Sequence, residues 1–444
     1  MSKWQFWVDR GGTFTDLVAR TPAGELRSLK LLSENPERYD DAVLEGIRIL
    51  LAVPSVATIP TTQIESIRIG TTVATNALLE RKGVPTLLVT TRGFADALEI
   101  GYQNRPDLFA LNIQLPEPLY SDVLEIDERL GADGSVIRLL QAENYLSELK
   151  AAYQRGLRAV AVVFMHGYKN PVHELAIGKV AEQAGFEQVS LSHEVSPLVK
   201  FVGRGDTTVV DAYISPVLAK YVQRLSAALP DVPLLFMQSS GGLTDAANFQ
   251  GRNSLLSGPA GGVVGAVKTA AEVDCSKVLG FDMGGTSTDV WHYKGEYQRV
   301  YETQLAGVRL RVPMMDIHTV AAGGGSLCYF DGSRFRVGPE SAGADPGPAC
   351  YRRGGPLTIT DCNLVLGRLA LEHFPAVFGP GANEPLSVDA ARARLVAEVE
   401  KIRRYSGEHL SLEGVAAGFI DIAVQSMAGA IKTISTQRGY DVGE

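Results

Sequence analysis

The chain has 444 residues, a formal charge of −8 at pH 7, 45% hydrophobic residues and 21% charged ones. That length predicts two or three domains with the composition of a folded soluble protein. The acidic balance, with no basic run to offset it, argues against a nucleic-acid or anionic-membrane surface.

Other partners and compartments are narrowed by what the chain carries. Its four cysteines show no CxxC spacing, so reduced thiols in the cytoplasm are expected rather than a disulfide framework. The first apolar run meets Asp9 and Arg10 too early for a signal peptide. No apolar stretch is read as long enough to span a bilayer.

In chain order, residues 5–20 read as strand, tight turn, strand, with Asp9-Arg10-Gly11-Gly12-Thr13-Phe14-Thr15-Asp16 at the centre. Residues 26–32 follow as a strand, and 40–51 have the apolar spacing of a helix. A short strand at 67–70 leads into Thr71-Thr72 and a helix over 73–82 that Gly83 stops. A buried strand at 86–90 and a helix at 94–100 continue an α/β alternation, which predicts a mainly parallel sheet. The polar stretch 102–108 is either a ligand loop with Arg105 as anion partner or a solvated turn around Pro106. Strands are predicted within 120–138, a helix over 142–156, and a strongly apolar strand at 159–165. His166, His173 and Glu174 match no zinc spacing, which favours a helix start with surface histidines over a metal site.

Residues 202–208 (VGRGDTT) read as a Gly-rich junction before a helix at 209–228, and the boundary between halves is placed there, giving domains 1–203 and 204–444. A strand at 234–237 enters a Ser/Gly loop. The segment 257–262 (SGPAGG), with Gly261 and Gly262, then opens a helix at 263–271, an arrangement whose free first-turn N–H groups attract anions. The second copy of the opening design follows: Asp282-Met283-Gly284-Gly285-Thr286-Ser287-Thr288-Asp289. Beyond it, Asp316 and His318 alternate with apolar residues before three glycines. They either orient a substrate, water or metal, or hold the glycine loop. Segments 361–369, 390–404 and 414–436 read as helices, and 338–350 as a rigid Gly/Pro loop.

Both turns read D-x-G-G-T-x-T-D. Paired glycines allow positive φ and close approach of a ligand, and successive exposed N–H groups form a concave anion site. Threonine hydroxyls add donors, and Asp9 and Asp282 suit Mg²⁺, which takes carboxylate, water and phosphate oxygens. A plain β-hairpin uses some of the same residues. Two copies with the same polar set favour two similar half-molecules gripping one phosphate ligand.

The chain resembles the hydantoinase A and 5-oxoprolinase family, in its N-terminal, A-type half. The matching segments include VDRGGTFTD, IGTTVATNALLERKG, GYQNRPDLFALNI, LSHEVSPLVKFVGRGDTTVVDAYISP, SGPAGG, FDMGGTSTDV, DIHTVAAGGGS and ESAGADPGPACY. The resemblance implies an α/β fold of duplicated actin-like, sugar-kinase-like (ribonuclease H-like) halves around a nucleotide cleft. It implies ATP and Mg²⁺ as cofactors, and ATP-dependent opening of a cyclic amide, 5-oxoproline or hydantoin, together with a B-type hydantoinase subunit or domain in an oligomer. Asp9, Gly11, Gly12, Thr13 and Thr15 would hold one side of the phosphates and metal. Asp282, Gly284, Gly285, Thr286, Thr288 and Asp289 would hold the other, with Asp9, Asp282 and Asp289 as the catalytic carboxylates. In the family, the segment corresponding to Arg438–Asp441 precedes a strand and an adenosine-contacting glycine loop; here the sequence stops at Glu444, so a C-terminally truncated chain is expected. A nucleotide-binding fragment without turnover, a small-molecule kinase and an ATP-using carboxylase subunit are the alternatives on the same fold.

Overall fold

In a computed structural model, the described residues are 2–443 except Thr13, Glu37, Ser55, Val56, 104–108, Ala110, Gln114 and Ala382. The chain opens with the antiparallel hairpin of β1 (Trp4–Arg10) and β2 (Phe14–Arg20), extended by β3 (Leu26–Leu32). Period-2 alternation sends Phe6, Val8, Leu17 and Ala19 inward, where all are buried. Helix α1 (Ala42–Leu50) closes over them, started by the Asp41 carboxylate, which accepts the Val43 and Leu44 N–H groups at 2.9 and 3.1 Å. Strand β4 (Ile64–Thr71) then pairs parallel to β1 and feeds α2 (Val73–Leu79).

A second sheet follows from β5 (Thr86–Thr91), β6 (Tyr120–Ile126), β7 (Ala159–Val163) and β8 (Gln188–Leu191). All its pairings are parallel and its order is β8-β7-β5-β6. Helix α3 (Val172–Ala184) connects β7 to β8. The parallel alternation expected from sequence is found in this sheet, whereas the first sheet is mixed because a hairpin begins it.

Helix α4 (Phe201–Ala228) absorbs the segment expected to be a Gly-rich junction. Its glycines serve packing: a Cβ on Gly203 would meet Arg311 Cδ at 2.4 Å, and one on Gly205 would meet Leu98 Cδ2 at 2.6 Å. The 203/204 division therefore falls inside a continuous helix. Strands β9 (Leu234–Met237) and β10 (Leu243–Asp245) return to the first sheet and complete the order β10-β9-β4-β1-β2-β3.

Helix α5 (Ser257–Ala271) leads to a second antiparallel set, β11 (Lys277–Met283), β12 (Thr288–Lys294) and β13 (Ile317–Val320), paired in that order. Behind it lies a core of Cys328, Cys350, Ile359, Cys362 and Leu364, into which α6 (Ile359–Val365) and α7 (Leu412–Ile434) pack. By length and composition α7 is long and apolar enough to cross a bilayer, which corrects the expectation that no stretch reaches that length. Its Val415, Phe419 and Ala423 are core residues of this unit. Burial of each large side chain of that kind contributes about 1.5–3 kcal/mol.

Candidate functional site

The two sequence copies fold into the same turn. In the first, Asp9 stands opposite Asp16 and the Gly11 N–H donates to Phe14 O at 3.0 Å. In the second, Asp282 stands opposite Asp289 and the Gly284 N–H donates to Ser287 O at 2.9 Å. Corresponding atoms of two segments far apart in sequence thus make corresponding bonds. Thr13, from the first turn, and Arg105 lie outside the described residues.

Each turn is braced from behind by its buried threonine. The Thr15 hydroxyl shares a hydrogen bond of 3.0 Å with Ser33 Oγ, and Ser33 Oγ donates to Gly11 O at 2.7 Å. Thr288 Oγ1 donates to Ala322 O. Both threonines are fully buried, so in this geometry their hydroxyls hold the turns in shape instead of pointing out of them. Gly12, Gly284, Gly285 and Thr286 are exposed and form the open surface.

Three further elements frame the first turn. The Arg10 carbonyl accepts Thr72 N–H at 3.0 Å and Thr72 Oγ1 at 3.2 Å, fixing the start of α2 against it. Asn76, one helical turn on, brings its side-chain amide to Gly12, where an added Cβ would lie 3.4 Å from Nδ2. The first turn of α5 is pinned by Ser257 Oγ donating to Thr71 O at 2.9 Å. A Cβ on Gly258 would lie 3.3 Å from Asp9 Oδ1, and one on Gly70 would lie 3.4 Å from it. Asp9 therefore sits between the end of β4 and the amino end of a 15-residue helix, whose free N–H groups favour anions.

Here the structure shifts the expected anion site. The helix begins at Ser257, earlier than expected, so Gly261 and Gly262 stand in its second turn, past the free amides. Gly261 packs on Met237, and Gly262 faces open space. The glycine beside Asp9 is Gly258.

The triple glycine after β13 is the cradle of the second turn. Gly324 N–H donates to Gly284 O at 3.0 Å and Gly325 N–H to Gly285 O at 2.6 Å. A Cβ on Gly323 would meet Ser287 N and Thr286 C at 2.7 Å. Thr360, at the start of α6, locks this loop through Gly324 O, to which its N–H and hydroxyl donate at 2.7 and 2.8 Å. Asp316 turns elsewhere and forms an ion pair with Arg438. Its carboxylate is thereby engaged far along the chain and is not paired with His318, whose own backbone partner is Val290.

The electrostatics tie the two turns together. Although Asp9 reaches solvent, partial removal from water raises its pKa above the ordinary value, and the charges of Asp16 and Asp282 raise it further; Lys30 opposes them. Asp16 is itself paired with Lys30 at 2.6 Å. Burial also raises Asp289, with a smaller push from Asp282, against a 2.6 Å hydrogen bond from Thr319. Phe14, in the first turn, packs against the core of the second unit.

This arrangement fits a magnesium-bound polyphosphate. Converging carboxylates that repel one another are relieved by a divalent cation, while glycine amides and a helix amino end receive phosphate oxygens. Among the described residues no three His, Cys, Asp or Glu side chains form a metal cage. Mg²⁺ characteristically takes one or two carboxylates and completes its shell with water and phosphate. The two turns offer one such leading carboxylate each, Asp9 and Asp282.

Residues 204–444 match the family Hydantoinase/oxoprolinase, and residues 5–185 match the hydantoinase/oxoprolinase N-terminal region. The 5-oxoprolinase 1 of Arabidopsis thaliana is 44% identical over 476 residues, covering 99% of this chain and 38% of that protein. The crystal structure of the ATP-dependent caprolactamase from Pseudomonas jessenii superposes with a TM-score of 0.77 at 31% identity, covering 98% of this chain and 64% of that one. A nucleotide-free acetone carboxylase structure gives a TM-score of 0.80 at 23% identity, covering 98% of this chain and 63% of that one, which is a likeness of fold. The chain spans about two fifths of the length of the oxoprolinases it matches.

Proposed function

This chain belongs to the hydantoinase/oxoprolinase family, and from that premise we propose that it is the ATP-using half of a cyclic amidohydrolase acting on 5-oxoproline or a hydantoin. One observation carries the reading: the two turns share strand register and closing hydrogen bond, and the charge of Asp282 in one acts on Asp9 in the other. A single polyphosphate held between matched turns accounts for both facts. When bound, ATP with Mg²⁺ would supply the phosphoryl group that activates the amide oxygen, so that water opens the ring.

The chain's own residues then have separable tasks. Asp9 and Asp282 would hold the metal, and the amides of Gly12, Gly285 and Gly258 the phosphates, with Thr13 and Thr286 adding hydroxyls; Gly11 and Gly284, whose N–H groups close the turns, would let the phosphates approach. Thr15, Ser33 and Thr288 keep those donors in place beforehand, so little reorganisation remains to be done during reaction. Asp289, raised above the ordinary carboxylate range, is suited to take a proton from the attacking oxygen. Positioning and charge neutralisation of this kind are most of what phosphoryl transfer needs.

The finer architecture is two duplicated actin-like halves, β1-β2-β3 recurring as β11-β12-β13, a reading supported by the shared strand order and turn register. A B-type subunit or domain completes ring opening, in an oligomer. The four free thiols, three of them buried, suit the reducing cytoplasm.

The test is ADP release by the purified chain with Mg²⁺-ATP and 5-oxoproline or hydantoin, with and without a B-type partner. Turnover that needs the cyclic amide supports the reading. A stable phosphorylated product would assign a kinase instead, and tight ATP binding without turnover a nucleotide-binding module.

A further inference from the structure

The second sheet gathers a side-chain cluster of its own, sharing no residue with the phosphate turns. Its strands run in the order β8-β7-β5-β6. From β5 the chain moves to β6 on one side, then crosses back to β7 and β8 on the other. The segments leaving the carboxyl ends of β5 and β7 therefore diverge, and in parallel sheets such a switch point is where ligands bind.

The residues gathered there have binding chemistry. The Phe94 and Phe201 rings lie 5.5 Å apart, and Arg129 lies over Phe94 with its guanidinium carbon 5.3 Å from the ring centre. Arg204 lies over both Phe201 and Tyr168, and Tyr168 meets His166 edge-on at 6.2 Å. Phe94, Arg129, His166, Tyr168 and Phe201 are all half-buried, so the cluster is open to solvent on one side. Among the described residues no carboxylate is ion-paired with Arg129.

Beneath this cluster the chain invests in buried charge, which is costly unless fully satisfied. Glu174, fully buried, accepts from Phe164 N–H at 3.0 Å, Ser192 Oγ at 2.6 Å, and His193 N–H at 3.0 Å, with His193 Nδ1 also 2.7 Å away. Arg204, 1% exposed, donates to Ser192 Oγ at 2.9 Å and to Phe164 O at 2.8 Å. Glu128, also buried, is held by Thr91 and by His173 Nδ1 at 2.7 Å. These groups fix the segments leaving β5, β6, β7 and β8 relative to one another. His166, at φ +61, is kept in a left-handed conformation that a non-glycine residue seldom takes without such support. Rigid support under a half-open cluster is how binding sites are preorganised.

We propose that this cluster binds a small organic carboxylate, held by Arg129 and His166 with its apolar body against Phe94, Tyr168 and Phe201. The aromatic walls favour an organic anion over inorganic phosphate, and a guanidinium is the fork that matches a carboxylate.

Calorimetric titration of the full chain with 5-oxoproline, in wild type and variants, tests this. Asp282→Asn separates this cluster from the phosphate turns, and His166→Asn removes the imidazole while keeping a residue that tolerates positive φ. Binding to wild type and to Asp282→Asn is expected, weakened about tenfold or more by Arg129→Gln and also by His166→Asn. The same lactam without its carboxylate, 2-pyrrolidinone, should not compete in the Asp282→Asn background. The proposal is overturned if wild type does not bind 5-oxoproline, if Arg129→Gln binds it equally well, or if inorganic phosphate displaces it at equal concentration. Loss of ADP release in Asp282→Asn with unchanged carboxylate binding in Arg129→Gln would leave the amidohydrolase reading standing and this site refuted.

Discussion

The charge of Asp282 reaches Asp9 from a different turn: burial raises the pKa of Asp9 most, and the charges of Asp16 and then Asp282 raise it further. A carboxyl whose folded pKa exceeds its unfolded value binds its proton more tightly when folded. Its contribution to stability is therefore lost as pH rises from the ordinary carboxylate value of 3.8 through the raised one. Asp9→Asn should give a higher Tm than wild type at pH 7, with the difference fading near pH 3. The same variant should lose Mg²⁺-dependent ATP binding, so stability and function move in opposite directions. Equal Tm values at pH 7 would mean that neither burial nor repulsion destabilises the charged carboxylate.

Asp282→Ala removes an exposed side chain with no packing role. The fold should survive, with an unchanged circular dichroism spectrum and a Tm at pH 7 no lower than that of wild type, since the charge acting on Asp9 and Asp289 is gone. ADP release should fall by about 100-fold or more, the scale at which one preorganised electrostatic group acts. Unchanged ADP release would remove the second turn from the phosphate site.

Much of this was legible in the sequence, and for a physical reason. Aspartate, paired glycines and threonine must be consecutive to make a turn of this kind, so the turn is written locally, and its strand register follows from alternation. What frames the turns is not local. Thr72, Asn76, Ser33 and Gly258 reach the first turn through sheet pairing and helix packing, and only the strand-to-helix passage IGTTVATN hinted at the first two. VGRGDTT looked like a loop because its glycines suggested backbone freedom, when they admit Arg311 and Leu98 to a helix surface. Asp316 looked like a partner of His318, two residues on, but its ion pair is with Arg438, more than a hundred residues later.

The glycine cradle gives a sharper test of local geometry than the carboxylates do. In Gly323→Ala the new methyl would press on the backbone of Thr286 and Ser287, displacing the second turn. Overpacking of that kind costs about 1–3 kcal/mol, and ATP turnover should fall even where the protein stays folded. Gly265→Ala, in α5 with open space around its Cβ, should stabilise by roughly 0.5–1 kcal/mol and leave activity unchanged. Urea unfolding of the two variants with ADP assays separates the cases, and equal behaviour of both would show that the cradle does not shape the turn.

Away from both sites, Arg309 Nε donates to Asp206 Oδ2 at 2.5 Å on a largely buried face of α4. Burial pushes Asp206 up to about 6, with the Arg309 hydrogen bond and charge holding it from rising further. Arg309→Leu would leave a buried carboxylate without its partner, a loss on the order of 3 kcal/mol at pH 7.5. At pH 5 the carboxyl is protonated in the variant and the charge is no longer stranded, so the deficit should shrink. Chemical denaturation at the two pH values measures this, and a deficit independent of pH would show that lost packing of the Arg309 stem, rather than the unpaired charge, sets the cost.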